Sequence, residues 1–292
     1  MSNPRQQSPI AGNQAPGYRA MRRNMDWVMR PLFGLVLAGL AIWSIFQAPE
    51  YFVVLVVLIT GLAAYEWHRM VRTGENYIAG TVLTSATAAL AVLVLTLMRE
   101  AWPAMLVVVL GAGVAAVLAR SQNQNPLWQA LGVIYLGFPA LALVALRIFP
   151  NRGALVIIGL FLIVWATDTG ALIFGKLIGG ARMAPKLSPG KTWAGTIGGS
   201  VTAAVIFGLY ILLLNGIFWG AALFALFFSI FAHAGDLFES FVKRRFGLKN
   251  SGSLIPGHGG VLDRMDSTIL ASIVLALLVF VARFDILFGA TS

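Results

Sequence analysis

The sequence contains no cysteine and very little charge, and both shortages restrict what the protein can be. Without cysteine the chain cannot form disulfides, use a thiolate nucleophile or bind a metal through sulfur. Charged residues make up only 11% of its 292 residues, whereas hydrophobic residues make up 59% and the mean hydropathy is +0.83. A soluble domain carries about a quarter charged residues. The composition therefore predicts an all-α, polytopic integral membrane protein.

Long apolar runs predict about nine transmembrane helices, because a helix needs about 20 apolar residues to cross a bilayer. A tight hairpin at Ala48-Pro49-Glu50 separates the first two. We expect residues 1–30, which lack apolar periodicity, to be a mostly disordered basic tail. N-terminal helices then occupy 31–126, and a C-terminal transmembrane region occupies 127–292 with loops at 176–192 and 236–265. The predicted spans are 31–48, 51–67, 78–98, 103–119, 127–147, 154–175, 193–214, 216–235 and 266–288.

Basic residues predict the orientation of these spans, because cytoplasmic loops are enriched in lysine and arginine. With the N-terminus in the cytoplasm, 17 of the 21 basic residues fall on the cytoplasmic side and the C-terminus lies on the outer face. The net charge of +10 is then mostly a charge at the cytoplasmic membrane face. Such a face suits anionic lipid heads and phosphates, and a nucleic-acid partner is not needed to explain it.

Residues 232–266 combine many charges with two of the chain's three histidines, His233 and His258, between long apolar runs. Charge placed beside lipid is costly, so such a stretch is a functional site by default. Its four acids are Asp236, Glu239, Asp263 and Asp266, and its bases are Lys243, Arg244, Arg245, Lys249 and Arg264. Asp236, Glu239, Ser240 and Lys243 recur at helical spacing, so a continuing helix would place them on one face.

The acids suggest a metal site. Asp168 lies inside a predicted span, and it would need a counter-cation there, as would Asp236 and Asp263. Carboxylates gathered without cysteine suit a hard ion such as Mg²⁺, with Asp266 as a fourth candidate ligand. Asp266 is equally well explained as a helix N-terminal acid favoured by the dipole. We interpret Glu239 and Asp285 as solvated or interfacial charges.

A glycine-rich loop lies between the two groups of acids. Gly257, Gly259 and Gly260 allow the backbone to approach a ligand closely and to present N–H groups to an anion. Carboxylates, glycines and flanking cations together predict a phosphate-handling site. His258 could act as a general base or a phosphate donor, and a structural histidine bonded to a nearby carbonyl is nearly as good an interpretation.

A second loop contains Ser188, Lys191 and Thr192, and Gly190-Lys191-Thr192 imitates the end of a P-loop. The leading glycine of that motif would fall at Pro185, so we reject the P-loop interpretation. Two Gly-x-x-x-Gly motifs, at 195–199 and 216–220, predict close helix packing within the chain, with contacts in a homodimer as the alternative.

These motifs resemble those of the phosphatidate cytidylyltransferase (CDP-diacylglycerol synthase) family. The resemblance rests on Ser240-Phe-Val-Lys243-Arg244, Lys249 and the run from Pro256 to Asp266, and extends to the segment from Ser188 to Trp193, to Asp168 and to a span with Tyr135, Pro139 and Arg147. It covers about residues 130–270. This chain has Asn250 and Ala194 where the family usually has aspartate and glutamate.

The resemblance implies transfer of CMP from CTP to phosphatidic acid in phospholipid biosynthesis, at the cytoplasmic face of a bacterial inner membrane. It implies Mg²⁺ as cofactor, with K⁺ as a candidate second ion. It makes 127–292 the catalytic region. The implied catalytic residues are Asp236, Asp263, Lys243, Arg264 and His258, the metal ligands are Asp263, Asp236, Asp168 and Asp266, and the substrate-binding residues are Ser188, Lys191, Thr192, Ser240, Arg244, Lys249, Gly257, Gly259 and Gly260.

Two other functions remain as alternatives from the residues alone. An ion-coupled transporter also uses buried acids and glycine-broken helices, but it places them near mid-bilayer and often has repeated halves. Here the charges cluster at one face and no internal repeat is visible. A CDP-alcohol phosphotransferase would need a chain of four aspartates with Asp-Gly and Ala-Arg, which this sequence lacks.

Overall fold

The computed structural model describes residues 36, 38–71, 77–252, 254 and 259–281, and most of them are helical. Seven of the described helices, α2 to α8, are long and apolar enough to cross a membrane. The chain is therefore a mostly helical integral membrane protein. Its elements are α1 (38–46), α2 (Pro49–Val71), α3 (Ile78–Met98), α4 (Ala101–Ser121), α5 (Pro126–Ile148), α6 (Gly153–Leu177), β1 (Arg182–Ala184), β2 (Ser188–Thr192), α7 (Trp193–Leu213), α8 (Phe218–Arg245) and α9 (Leu262–Phe280).

Most predicted spans match these helices to within a few residues. The predicted hairpin is confirmed, since α1 ends at residue 46 and α2 begins at Pro49, a residue well suited to the first helical turn. One boundary is wrong: we expected a span to end at 235, whereas α8 continues to Arg245. The tail, the rest of the first and last predicted spans, and Asp285 lie outside the described residues.

Helices α6, α7 and α8 pack side by side in chain order, and small residues bring α6 and α7 close together. A Cβ at Gly195 or Gly199 would overlap the backbone of α6 near Ala171 and Thr167. The first Gly-x-x-x-Gly motif is thus an internal packing motif, as predicted. The second is not, because Gly216 precedes α8 and a Cβ at Gly220 would meet no described atom within 4 Å.

A short β-hairpin occupies part of the predicted loop 176–192. β1 and β2 are antiparallel, with Arg182 opposite Thr192 and Ala184 opposite Ser188. β2 continues directly into α7, and the Thr192 hydroxyl caps this helix by accepting from the Gly195 N–H at 3.1 Å. A P-loop has a glycine-rich loop between strand and helix. The hairpin has none, which agrees with the rejection of that motif.

A compact apolar cluster joins α2, α5, α8 and α9 at one end of the bundle. It is centred on buried Trp67, Leu136, Val242, Leu262 and Ile269. Between helices in a bilayer such side chains stabilise the bundle through close van der Waals packing. The cluster fixes both the end of α8 and the start of α9, and it thereby holds the two attachment points of the segment between them.

Candidate active site

Helix α8 carries its charged residues on the turns beyond the predicted end of the span. Ser240 Oγ donates to Asp236 Oδ1 at 3.4 Å, and Lys243 Nζ lies 3.4 Å from Glu239 Oε2. These i,i+4 contacts confirm that the acids and Lys243 share one helical face. The interpretation of this part of the chain as a loop beginning at 236 is wrong, because helix persists through Arg245.

Glu239 is completely buried, with 0% of its side chain exposed. Its interpretation as a solvated or interfacial charge is therefore wrong. Because α8 continues past residue 235, Glu239 lies on the face of this helix that packs against the bundle. The prediction had assumed a solvated loop at this position. Lys243 is the cation paired with its carboxylate, and the carboxyl group of Asp266 lies within hydrogen-bonding reach of it.

Asp263 lies in the first turn of α9, before the apolar part of this helix. Its carboxylate forms an ion pair with a lysine and accepts hydrogen bonds from two backbone N–H groups. Lys243 Nζ lies 2.7 Å from Oδ1, the Gly260 N–H donates to Oδ2 at 2.9 Å, and the Ser251 N–H donates at 3.1 Å. Burial raises the pKa of Asp263, but these donors outweigh it and hold the pKa below its usual value. Asp263 therefore joins α8, α9 and both ends of the intervening segment.

Lys191 links the hairpin to α8. Its Nζ lies 2.6 Å from Asp236 Oδ2 and 3.5 Å from the carbonyl oxygen of His233. The two side chains remain partly accessible, at 16% for Lys191 and 26% for Asp236. The hairpin and the charged end of α8 thus meet at one place, and each supplies half of an ion pair that is partly exposed to solvent.

Two further acids face this pair. Asp168, on α6, accepts from Ser267 Oγ at 3.3 Å, and it interacts electrostatically with Asp266, Asp236 and Lys191. Asp266 accepts from the Ser267 N–H at 2.7 Å. The four predicted metal ligands therefore lie on α6, α8 and α9 around one end of the bundle, with Asp263 occupied by its own donors.

The remaining predicted site residues differ in burial and in their contacts. Arg244 donates to the Leu187 carbonyl at 3.1 Å and the Leu248 carbonyl at 3.2 Å, so its guanidinium ties α8 to the hairpin. Lys249 and Arg264 are exposed, and Ser188 is half-buried in β2. His258 and Gly257 lie outside the described residues. His233 is buried, with Nε2 3.2 Å from the Thr196 carbonyl oxygen, as expected of a structural histidine.

Sequence reasoning missed Glu66, on α2. This carboxylate is 1% exposed and accepts from Ser251 Oγ at 3.1 Å and from the Leu262 N–H at 2.9 Å. In the sequence it is a single acid near the end of an apolar run, beside Trp67 and His68, and it resembles an interfacial charge. The signal that could have found it is its position inside a spanning helix, where an ionisable residue is functional by default.

The donor set suits a hard divalent ion in its chemistry. Among the described residues no three histidine, aspartate or glutamate side chains stand close enough to hold a metal by themselves. Mg²⁺ is usually held by one or two carboxylates together with water and substrate phosphates, so a pair of acids is sufficient. Asp168 interacts electrostatically with Asp236, Asp266 and Lys191, so this end of the bundle carries the type of oxygen ligand that such an ion prefers.

Taken together, apolar spanning helices with carboxylates, lysines and glycines gathered at one end define a membrane enzyme that acts on phosphates. A sequence profile of the cytidylyltransferase family matches residues 28–282. The chain belongs to this family, and it is a nucleotidyltransferase.

Similar proteins are found in several bacteria. The phosphatidate cytidylyltransferase of Brucella suis biovar 1 is 37% identical over 252 residues, which cover 85% of this chain and 91% of that protein. The phosphatidate cytidylyltransferase of Staphylococcus haemolyticus is 43% identical over 47% of this chain and 52% of its own length. That of Haemophilus influenzae is 39% identical over 51% of this chain and 56% of its own.

Proposed function

We propose that this chain catalyses CTP + phosphatidic acid → CDP-diacylglycerol + pyrophosphate, a step of phospholipid biosynthesis. The observation that carries the proposal is the meeting of the Lys191–Asp236 and Lys243–Asp263 pairs with glycine-rich backbone at the end of α8. A soluble nucleotide and a bilayer lipid can both reach such a place. The relatives named above as phosphatidate cytidylyltransferases support the same reaction.

The chemistry needs charge neutralisation more than proton transfer. A phosphate oxygen of phosphatidic acid attacks the α-phosphorus of CTP, the bond from that phosphorus to the bridging oxygen breaks, and pyrophosphate leaves with the electron pair. Since the nucleophile is already ionised at neutral pH, no strong general base is required. Lys191 and Lys243 are placed to offset charge on the reacting phosphates.

We propose Mg²⁺ as the cofactor, held by residues drawn from Asp168, Asp236, Asp263 and Asp266, with K⁺ as a candidate second ion. When bound, Mg²⁺ neutralises the triphosphate and orients the two anionic reactants. Asp263 is the least available of these ligands in its present contacts, because Lys243 and two backbone N–H groups already bind its carboxylate. Arg264, Lys249 and His258 remain proposed as groups that bind or stabilise phosphate.

An assay of purified protein separates this function from the ion-coupled transporter. Labelled CTP, phosphatidic acid and Mg²⁺ should give labelled CDP-diacylglycerol and pyrophosphate, and vesicles containing the protein should show no ion flux. The geometry favours the enzyme because the ion pairs of the candidate site, Lys191–Asp236 and Lys243–Asp263, lie at one end of the bundle, whereas transporters place their sites near mid-bilayer. Ion flux without CTP turnover would contradict the proposal.

We propose a nine-span topology in a bacterial inner membrane, with the site facing the cytoplasm and anionic lipids attracted to the basic face. The absence of cysteine allows a direct test. A single cysteine at exposed Asn250 should react with a membrane-impermeant maleimide only in inverted vesicles, and one at Ser292 only in intact cells. The reason is the 17-to-4 distribution of basic residues. Labelling of both positions from the same side would show that the span count is wrong.

Replacing Lys191 should reveal how it acts. Lys191→Ala should lose most CTP turnover, because Asp236 loses its cation and the phosphates lose a positive charge. Lys191→Arg should retain part of the activity, since any cation near that position can serve as a point charge. Lys186→Ala, an exposed lysine in the turn of the same hairpin, is the matched control and should be nearly unchanged. Equal losses in the Arg and Ala variants would argue for a P-loop type of lysine.

A homodimer is a further proposal. The first Gly-x-x-x-Gly motif is occupied by packing within the chain, so a dimer would have to use another surface. The exposed apolar residues of the spanning helices are numerous and face lipid or a second copy equally well. Measuring the mass of the protein in detergent micelles would decide between the two states.

A further inference from the structure

Glu66 connects the N-terminal helices to the glycine-rich segment of the site. It lies on α2, outside the region of the chain that carries the motifs, and it is separated from its partners by 185 and 196 residues. Its Oε2 accepts from Ser251 Oγ and from the Leu262 N–H, which lie near the beginning and the end of that segment. A single carboxylate oxygen therefore holds both ends.

Asp263 holds the same two ends from the other side. It accepts from the Ser251 N–H and from the Gly260 N–H, while Lys243 balances its charge. Ser251 is thus bound twice, by its hydroxyl to Glu66 and by its backbone to Asp263. Two carboxylates from opposite ends of the sequence together form a clamp around the segment, and only one of them belongs to the recognisable motif.

The glycines fit this clamp sterically. A Cβ at Gly252 or at Gly260 would overlap the Glu66 carboxylate, so the backbone there lies directly against it. Gly260 is therefore required for a close approach to a protein side chain as well as for any approach to a ligand. Gly252 and Gly260 thus pack directly against Glu66 of α2. Such close packing is not expected if α2 serves only as a membrane anchor.

We propose that Glu66 is a positioning residue for the reaction: by holding Ser251, Gly260 and Leu262 in place, it pre-forms part of the surface that receives the phosphates of the nucleotide. This inference rests on the proposed function. Binding to backbone groups that are already held in place avoids the entropy cost of ordering them. Loosening the segment should therefore weaken nucleotide binding, whereas loss of a purely structural contact would lower the amount or stability of folded protein.

The test compares four variants of the full-length protein in detergent. Glu66→Ala removes the acceptor and should raise the KM for CTP about tenfold, because charge-assisted hydrogen bonds are lost. Glu66→Gln keeps an oxygen at the same reach and should stay within about threefold of the unchanged chain. Ser251→Ala removes one donor and should give an intermediate rise in KM. Glu100→Ala, an exposed acid near Trp102 at the start of α4, is the control and should have no effect.

Hydrogen exchange provides a second readout that does not depend on activity. In Glu66→Ala the amides of Ser251, Gly252, Gly260 and Leu262 should exchange faster, while those of α6 and α7 keep their protection. Rescue by Glu66→Gln should restore both the slow exchange and the low KM. If Glu66→Ala folds too poorly to measure, Ser251→Ala carries the same two readouts through the partner that Glu66 holds.

Either of two results would overturn the inference. One is unchanged amide exchange at Ser251, Gly252, Gly260 and Leu262 in Glu66→Ala; the other is an unchanged KM for CTP with only a lower yield of folded enzyme. Failure of the proposed function looks different, because the unaltered chain would then convert no CTP at all. In that case the exchange experiment alone decides whether Glu66 positions the segment.

Discussion

Asp263→Asn is expected to lower turnover of CTP about a thousandfold while leaving the protein folded in detergent. The carboxylate pairs with Lys243 and accepts from the backbone of Ser251 and Gly260. The neutral asparagine side chain cannot balance the positive charge of Lys243. Its NH₂ group is also a hydrogen-bond donor, so it cannot accept from the backbone N–H groups of Ser251 and Gly260. The loss of turnover has three causes: Ser251 and Gly260 lose their acceptor, Lys243 loses its paired anion, and Mg²⁺ loses a proposed ligand. Measuring kcat/KM over a range of Mg²⁺ concentrations checks it.

Asp285→Asn is the matched control for this experiment, since it makes the same chemical change in an acid that we do not place in the site. It should cost much less than tenfold in turnover. Near-normal activity with an unchanged Mg²⁺ requirement in Asp263→Asn would contradict the assignment of Asp263. The metal would then be assigned to Asp168 and Asp266, which both accept hydrogen bonds from Ser267.

Asp236→Asn is expected to cause a loss of similar size, about a thousandfold. Asp236 has fewer contacts than Asp263, because its partners are Lys191 at 2.6 Å and the Ser240 hydroxyl at 3.4 Å. With 26% of its side chain exposed, it is the most accessible acid in the three ion pairs. It is therefore available to a metal that arrives with the nucleotide.

The Mg²⁺ dependence of Asp236→Asn separates two roles. A ligand should make half-maximal activity require more Mg²⁺, whereas a group that only orients Lys191 should lower kcat with the Mg²⁺ requirement unchanged. The second pattern would remove Asp236 from the metal site and leave it as the partner of Lys191. The double variant Asp236→Asn/Lys191→Ala should lose little beyond Asp236→Asn if the two side chains act as one unit.

Much of the helical arrangement follows from the sequence, because a bilayer demands long apolar helices and the apolar runs are easy to delimit. The predicted 78–98 and observed α3 coincide. The error at α8 arose from the same rule: hydropathy marks where apolar residues end, whereas a helix can continue through charged residues when its neighbours bury one face. Residues 236–245 do so by packing Val242 against Trp67 and Leu262.

The site was predicted where its residues are close in sequence and missed where they are not. Spacing placed Asp236, Ser240 and Lys243 on one face, and the ion pairs agree with that placement. Spacing could not show that Lys191 meets Asp236, although both were singled out. It also could not distinguish a buried Glu239 from a solvated one, because that depends on which helices pack against α8. Glu66 was missed for the same reason, since both of its partners lie far along the chain.

The length of α8 has a consequence for how the two substrates would be encountered. Its 28 residues extend about 42 Å, about 12 Å more than the hydrocarbon core of a bilayer, so its charged end reaches the depth of the lipid headgroups. A lipid would arrive there by lateral diffusion in one leaflet, and a nucleotide by diffusion through water. The encounter with the lipid is then governed by its mole fraction in that leaflet, a two-dimensional quantity, whereas the encounter with the nucleotide is governed by its bulk concentration.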